Sequence, residues 1–384
     1  MAMFDRFCLT NIGFGIIKNE RRFSLYGVVM HVGIAGFGTY IPKTFVSAAE
    51  LAAATDVPEN IIITKFGIKR KPVASPEEST AMMGLEAAKT ALADAKIEGK
   101  DVDLVIWCGA QHKDYPCWLA CLYVAEQLGA RNSYGFDMEA MCGSMMSAMD
   151  VAKSLMLTHE ELNTVLLVSG YRNNDLVSLA EPTTHFMMDI GSGGSALVLR
   201  KNLGRNVICA SSFRGDGSLS EMCAVPVLGS KAWPPTPADL ERAHFIVPDE
   251  KAFKGKLGEV TLPNFYRVVR ECVRRSGFTD VSKSDGMKSD GSKSEGIDYL
   301  AVLHFKKSSH LAILEELSLR EDQSTYLDDY GHLGQNDQIL SLKLGLEAGR
   351  IRDGAKIVFV GAGLGFVWAA TALRWGPYED PDLK

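Results

Sequence analysis

The chain has 384 residues, 46% of them hydrophobic and 23% charged, a composition that excludes disordered and fibrous classes and leaves room for two or three domain-sized units. Lys plus Arg number 41 against 47 Asp plus Glu, for a net charge of -6, which argues against a general nucleic-acid binder. Eight cysteines are scattered without the spacing of a disulfide framework, and no uncharged apolar run reaches the roughly 20 residues that span a bilayer.

Residues 1–29 carry Arg6, Lys18, Glu20, Arg21 and Arg22 and make a poor signal peptide, so they are expected to form an N-terminal extension, with Met30 an alternative start. The first clear strand is Val32–Gly38. An amphipathic helix follows over Glu77–Lys96, then a doubly buried strand at Leu104–Cys108 and a helix at Trp118–Leu128. Tyr134–Met138 reads as strand and Gly143–Leu157 as helix, with further strands at Val165–Gly170 and Ala196–Leu199. After about residue 206 the order recurs. Val207–Ser212 reads as strand, Pro263–Ser276 as helix, Tyr299–His304 as buried strand, Leu311–Leu317 and Ile339–Glu347 as helices, and Lys356–Val360 as strand. Alternating strands and helices predict a layered α/β fold, with an N-terminal half over 30–205 and a C-terminal half over 206–384. Within the second half, 281–297 holds three five-residue repeats of Ser, Lys, Asp or Glu and Gly. Almost nothing there is apolar, so a flexible surface insertion is expected.

Several motifs invite chemistry. Gly33-Ile34-Ala35-Gly36-Phe37-Gly38 runs on to Tyr40 and Pro42 and not into a helix, so it lacks the N-terminus that holds a dinucleotide pyrophosphate. Cys108, His112, Cys117 and Cys121 fit no common zinc spacing, and no metal is expected. Cys142 is better placed, in a strand-to-helix junction where a helix dipole favours the thiolate, although a packed core cysteine reads the same way. Far along the chain His304 closes an apolar strand and His332 lies in Tyr330-Gly331-His332-Leu333-Gly334. A nucleophilic thiol needs such groups near in space, whatever their distance in sequence.

From about Val32 to Trp375 the chain resembles the β-ketoacyl-acyl-carrier-protein synthase III group of the thiolase superfamily. The resemblance is carried by Thr64-Lys65-Phe66-Gly67-Ile68, the Cys142 junction, Asp189-Ile190-Gly191-Ser192-Gly193-Gly194, the strand before His304, Gly331-His332 and Gly363-Leu364-Gly365-Phe366. It implies a duplicated, five-layered αβαβα fold, a cytoplasmic homodimer, and a buried site fed by a pantetheine tunnel. Cys142 would accept the acyl group, His304 would be its first polar partner, and His332 would stand where these synthases usually carry Asn, donating to a thioester oxygen during condensation. Backbone N–H groups at Cys142 and the Gly363, Leu364, Gly365 turn would form the oxyanion hole.

Other positions depart from the group. His304-Phe305-Lys306-Lys307 replaces its His-Gln-Ala-Asn run, Ile61 replaces a tryptophan and Lys65 an arginine. Positive charge at Lys65, Lys69, Arg70 and Lys71, and again at Lys306 and Lys307, is a candidate dock for acyl-CoA phosphates or an acidic acyl carrier protein, or simply a solvated face. The implied reaction is an acyltransferase condensation of an acyl-CoA with a malonyl thioester, needing no metal or redox cofactor, no nucleic acid and no membrane. A non-decarboxylating condensation, as in hydroxymethylglutaryl-CoA synthase, would need a carboxylate base, for which Glu139 is the candidate. A non-catalytic subunit of a heterodimer would have lost the nucleophile that Cys142 supplies.

Overall fold

The structure is a computed structural model that describes residues 24–25, 28–278 and 296–379. The expected extension therefore lies almost wholly outside the described residues, and so does the repeat insertion over 281–295. Ile297, at the end of the range expected to be flexible, is described and packs in the core.

Eleven strands carry the architecture: β1 (Val32–Tyr40), β2 (Phe45–Ser47), β3 (Arg70–Pro72), β4 (Leu104–Gly109), β5 (Tyr134–Glu139), β6 (Thr164–Tyr171), β7 (Gly193–Lys201), β8 (Arg205–Gly215), β9 (Tyr299–Val302), β10 (Lys356–Gly363) and β11 (Val367–Pro377). The principal helices are α1 (Ala48–Ala54), α2 (Thr80–Ala95), α3 (Ala120–Leu128), α4 (Ser144–Thr158), α5 (Glu250–Arg275), α6 (Lys307–Glu316) and α7 (Asp337–Glu347). Nine strands join in the order β9-β10-β11-β8-β1-β7-β6-β4-β5. Within that row, β4 lies parallel to β6, β6 antiparallel to β7, and β7 antiparallel to β1. The second half repeats the pattern: β9 is parallel to β10, β10 antiparallel to β11, and β11 antiparallel to β8. The two halves meet at one register pair, Val207 with Gly33.

Three apolar layers hold this together. α2 and α3 cover β4, β6 and β7 on one outer face through Ala81, Leu85, Ala88, Leu92 and Val124. α5 and α6 cover β8, β10 and β11 on the other outer face, with Phe253, Phe265, Val269 and Leu314. α4 and α7 lie between the halves and touch strands of both, burying Met145, Met146, Met149, Ile339 and Leu342. The sequence of layers is therefore αβαβα. Continuous apolar runs such as Leu104–Gly109, buried at every position, are what a strand covered on both faces requires.

Two elements differ from the sequence reading. α5 begins at Glu250, 13 residues before Pro263, and runs through that proline. The missing N–H leaves one turn without its bond, and the flanking packing of Phe253 and Phe265 on the sheet holds the helix across it. β11, read only as a glycine-rich ending, is an 11-residue strand at the centre of the second half.

Candidate active site

The N-termini of the two central helices face each other, and the reactive side chains sit on the turns that lead into them. The first turn is Met141–Gly143, ahead of α4. Met141 takes a left-handed backbone conformation with φ of 48°, unusual for a bulky, non-glycine residue. The Ser144 hydroxyl fixes that sharp turn, accepting from the Ala140 N–H at 2.8 Å and lying 2.7 Å from the Gly109 and Met141 carbonyls. Cys142 is thereby presented at the positive end of α4 while remaining buried.

The second turn, Gly334–Asn336, leads into α7 and carries His332 just before it and Asp337 as its first helical residue. His332 Nε2 lies 3.1 Å from Cys142 Sγ, and its Nδ1 donates to Asp337 Oδ2 at 2.6 Å. Asp337 is fully buried and accepts two more bonds, from the His304 N–H at 2.7 Å and the Leu333 N–H at 2.7 Å. Thiol, imidazole and carboxylate thus form one chain. Burial disfavours a charged imidazole here, but the charges and hydrogen bonds of Asp337 and Cys142 outweigh it and hold His332 well above its ordinary pKa. Tyr171, at the end of β6, hydrogen-bonds to the same sulfur. Burial, then the charges of Cys142, Asp337 and Asp189, push its phenol well above the usual range, so it stays protonated.

His332 owes its position to backbone pairing. Its N–H donates to the Asp189 carbonyl at 2.8 Å, and its carbonyl accepts from Gly191 at 2.9 Å. Gly331 has φ of 64°, and a Cβ there would lie 2.2 Å from the Asp189 carbonyl oxygen, so only glycine permits the approach. Gly363 plays the corresponding part at the thiol. A Cβ there would meet the Ala140 oxygen at 2.6 Å and the Cys142 nitrogen at 2.9 Å, so the end of β10 lies directly against the Cys142 backbone. Leu364 and Gly365 continue that strand into the turn before β11.

The structure corrects several expected roles. His332 does not face open space as an oxygen donor; its Nε2 is on the sulfur. His304 is buried one shell away, with Nδ1 2.9 Å from Asp189 Oδ2 and Nε2 3.2 Å from the Gly67 carbonyl, so both ring nitrogens face acceptors. Glu139 ends edge strand β5 with an exposed side chain and makes no described contact with the thiol. The basic cluster is largely neutralised. Lys69 pairs with Asp328 at 2.7 Å and Arg70 with Asp329 at 3.1 Å. Lys71 is inside, donating to the Ile190 carbonyl at 2.8 Å, and burial pushes its pKa down to about 8 against the opposing charge of Asp189. Lys65, Lys306 and Lys307 remain exposed, with Lys307 5.8 Å over the Tyr326 ring. The four residues of the zinc-like cluster diverge. Cys108 is buried in β4, Cys121 is buried in α3, Cys117 is exposed, and His112 pairs with Asp175.

Asp337, Asp189 and Tyr171 were not singled out in the sequence. The first had a signal, a carboxylate five residues after His332 at a helix start. Asp189 opens a glycine-rich motif whose polar head could have been weighed. Tyr171 offers no signal beyond its place at a strand end.

The chain is an acyltransferase of the condensing type, as its likeness to known proteins shows. Residues 136–217 match a family model described as 3-oxoacyl-[acyl-carrier-protein] synthase III, and 287–375 match the model of that enzyme's C-terminal part. A β-ketoacyl-[acyl-carrier-protein] synthase III of Bacillus pumilus is 28% identical over 348 residues, covering 90% of this chain and all of its own. Among solved structures, the 3-oxoacyl-[acyl-carrier-protein] synthase III of Aquifex aeolicus superposes with a TM-score of 0.74 at 23% identity, over 90% of this chain and all of its own. The priming β-ketosynthase of the R1128 polyketide pathway gives 0.77 at 21% identity, over 95% of this chain and all of its own. The chain is thus similar over nine-tenths of its length to β-ketoacyl-[acyl-carrier-protein] synthase III and shares its fold.

Proposed function

We propose that this acyltransferase takes its acyl group from an acyl-CoA onto Cys142 and condenses it with a malonyl thioester to give a β-ketoacyl thioester. The observation that carries the reading is the 3.1 Å contact between Cys142 Sγ and His332 Nε2 at a helix N-terminus. A cationic imidazole beside the sulfur and the positive end of α4 both favour the thiolate, the form that attacks a thioester carbonyl. The tetrahedral oxyanion is taken up by backbone N–H groups at Cys142 and along Gly363–Gly365. The departing CoA thiol receives its proton from His332. In the second half-reaction the malonyl thioester loses carbon dioxide, and its enolate attacks the acyl carbon. His304 supplies the donor for the enolate oxygen, by exchanging the Gly67 carbonyl for the substrate's.

Exposed Lys65, Lys306 and Lys307 are the positive groups available to CoA phosphates or to an acyl carrier protein as donor or acceptor. A homodimer is supported by β5, which among the described residues pairs with β4 alone and presents its other edge, with Tyr134 half-exposed. A reducing compartment, the cytoplasm, is the proposed setting for a chain whose eight cysteines lack the spacing of a disulfide framework. No described helix is long and apolar enough to cross a membrane. The test is a two-stage assay: acyl-CoA alone should add one acyl group to Cys142, and malonyl-CoA should then release it as a β-ketoacyl thioester with carbon dioxide. Acyl-enzyme that malonyl-CoA and malonyl-loaded carrier both leave untouched would refute the condensation.

A further inference from the structure

The arrangement around Cys142 bears on what the acyl group can be passed to. Asp337 is locked by three N–H donors and fixes the His332 proton on Nδ1. Whenever the ring is neutral, Nε2 therefore carries a lone pair aimed at the sulfur and at any carbon bonded to it. Both nitrogens of His304 already face acceptors, Asp189 and the Gly67 carbonyl. A carbon nucleophile released by decarboxylation asks for N–H donors on its oxygen and needs no base. An oxygen nucleophile asks for the opposite, a base facing the acyl carbon, with a carboxylate behind it to hold the tautomer. The chain Cys142–His332–Asp337 meets the second demand.

We infer that acyl-Cys142 is also discharged onto the hydroxyl of a neutral alcohol, giving an ester, with His332 as general base and Asp337 as its positioning residue. This rests on the acyl-Cys142 reading given above. Acylation leaves His332 neutral, because its Nε2 proton has gone out with the CoA thiol. The incoming O–H gives its proton to Nε2 as its oxygen bonds to the acyl carbon. The tetrahedral oxyanion then collapses, the carbon–sulfur bond breaks, and the sulfur leaves as thiolate beside the imidazolium. Acyl thioester plus alcohol becomes ester plus thiol, and the resting pair is restored. A hydroxyl is favoured over an amine by burial: an alcohol enters uncharged, whereas an ammonium has to shed both its proton and its hydration.

The test uses the full chain loaded with acetyl-CoA or hexanoyl-CoA, freed of excess donor, and chased separately with buffer, a series of neutral alcohols from ethanol to octanol, n-alkylamines, and malonyl-CoA. Loss of the acyl mass and formation of the ester are read by mass spectrometry. Alcohol should discharge the enzyme at least about a hundredfold faster than buffer, the lower end of general-base effects. In equally loaded Asp337→Asn that advantage should fall by about two orders of magnitude or more, with the pH–rate curve for alcohol displaced, which loss of packing alone would not produce. Alcohol no faster than buffer, with malonyl-CoA discharging normally, overturns this inference and leaves the condensing reading standing. Amines outpacing alcohols overturns the assignment of a hydroxyl acceptor. A chain that never loads at Cys142 overturns both readings together.

Discussion

At the scale of single residues, the chemistry depends on charges held inside the protein. His332 keeps its proton because Asp337 and Cys142 outweigh burial, so the folded chain binds a proton that the unfolded chain releases near pH 6.5. The resulting stabilisation is complete below about pH 6.5 and is lost as pH rises through the raised folded-state value. Thermal melts of wild type and His332→Gln from pH 6 to 9 should therefore converge toward the alkaline end. A gap that stays constant would show that His332 contributes packing alone. The thiol and His304 stood out in the sequence as local patterns, a cysteine at a strand–helix junction and a histidine closing an apolar strand, whereas His332 stood out by its Gly-His pair ahead of a helix. How they pair was not legible. That depends on Gly331 lying so close to the Asp189 carbonyl that a Cβ there would sit 2.2 Å from its oxygen, a contact between segments 142 residues apart.

At the scale of elements, runs that are apolar at every position announced β4, β6 and β10 correctly, since only strands covered on both faces tolerate them. The first half of α5 was hidden because Pro263 argued for a boundary and because Glu250–Leu262 buries only Phe253 and mixes charged residues with two glycines. β11 was hidden for a different reason: its centre, Ala369-Ala370-Thr371-Ala372, is small and weakly strand-forming, and it is held as a strand by its neighbours β8 and β10. The end of β10 yields the sharpest element-scale prediction. Gly363→Ala would push a methyl against the backbone at Ala140 and Cys142, neither of which can swing aside. We expect about 1–3 kcal/mol of destabilisation, the usual range for overpacking. We also expect a fall of about two to three orders of magnitude in acylation rate as the oxyanion donors are displaced. Chemical denaturation and single-turnover acylation measure the two effects separately, and an unchanged acylation rate would remove Gly363 from the oxyanion site.

At the scale of the whole molecule, the repeated strand pattern places α4 and α7 back to back, so that each half contributes one helix turn to one site. The proposed nucleophile, Cys142, comes from the first half, and the proposed base His332 with its partner Asp337 comes from the second. Edge strand β5 lies on the nucleophile's side and is continuous with the Cys142 turn, so pairing of two copies there would brace the site. Light scattering at micromolar concentration should give twice the chain mass, and a monomer would contradict the proposed assembly. The Cys142–His332 pair is the proposed engine of acyl transfer. Rapid-quench intact mass spectrometry on wild type, Cys142→Ala and His332→Ala with one acyl-CoA tests it most directly. We predict one acyl group added to wild type and mapped to Cys142, none in Cys142→Ala, and acylation slowed by about two to four orders of magnitude in His332→Ala. Acylation of His332→Ala at the wild-type rate, or acyl transfer to any other residue, would contradict it.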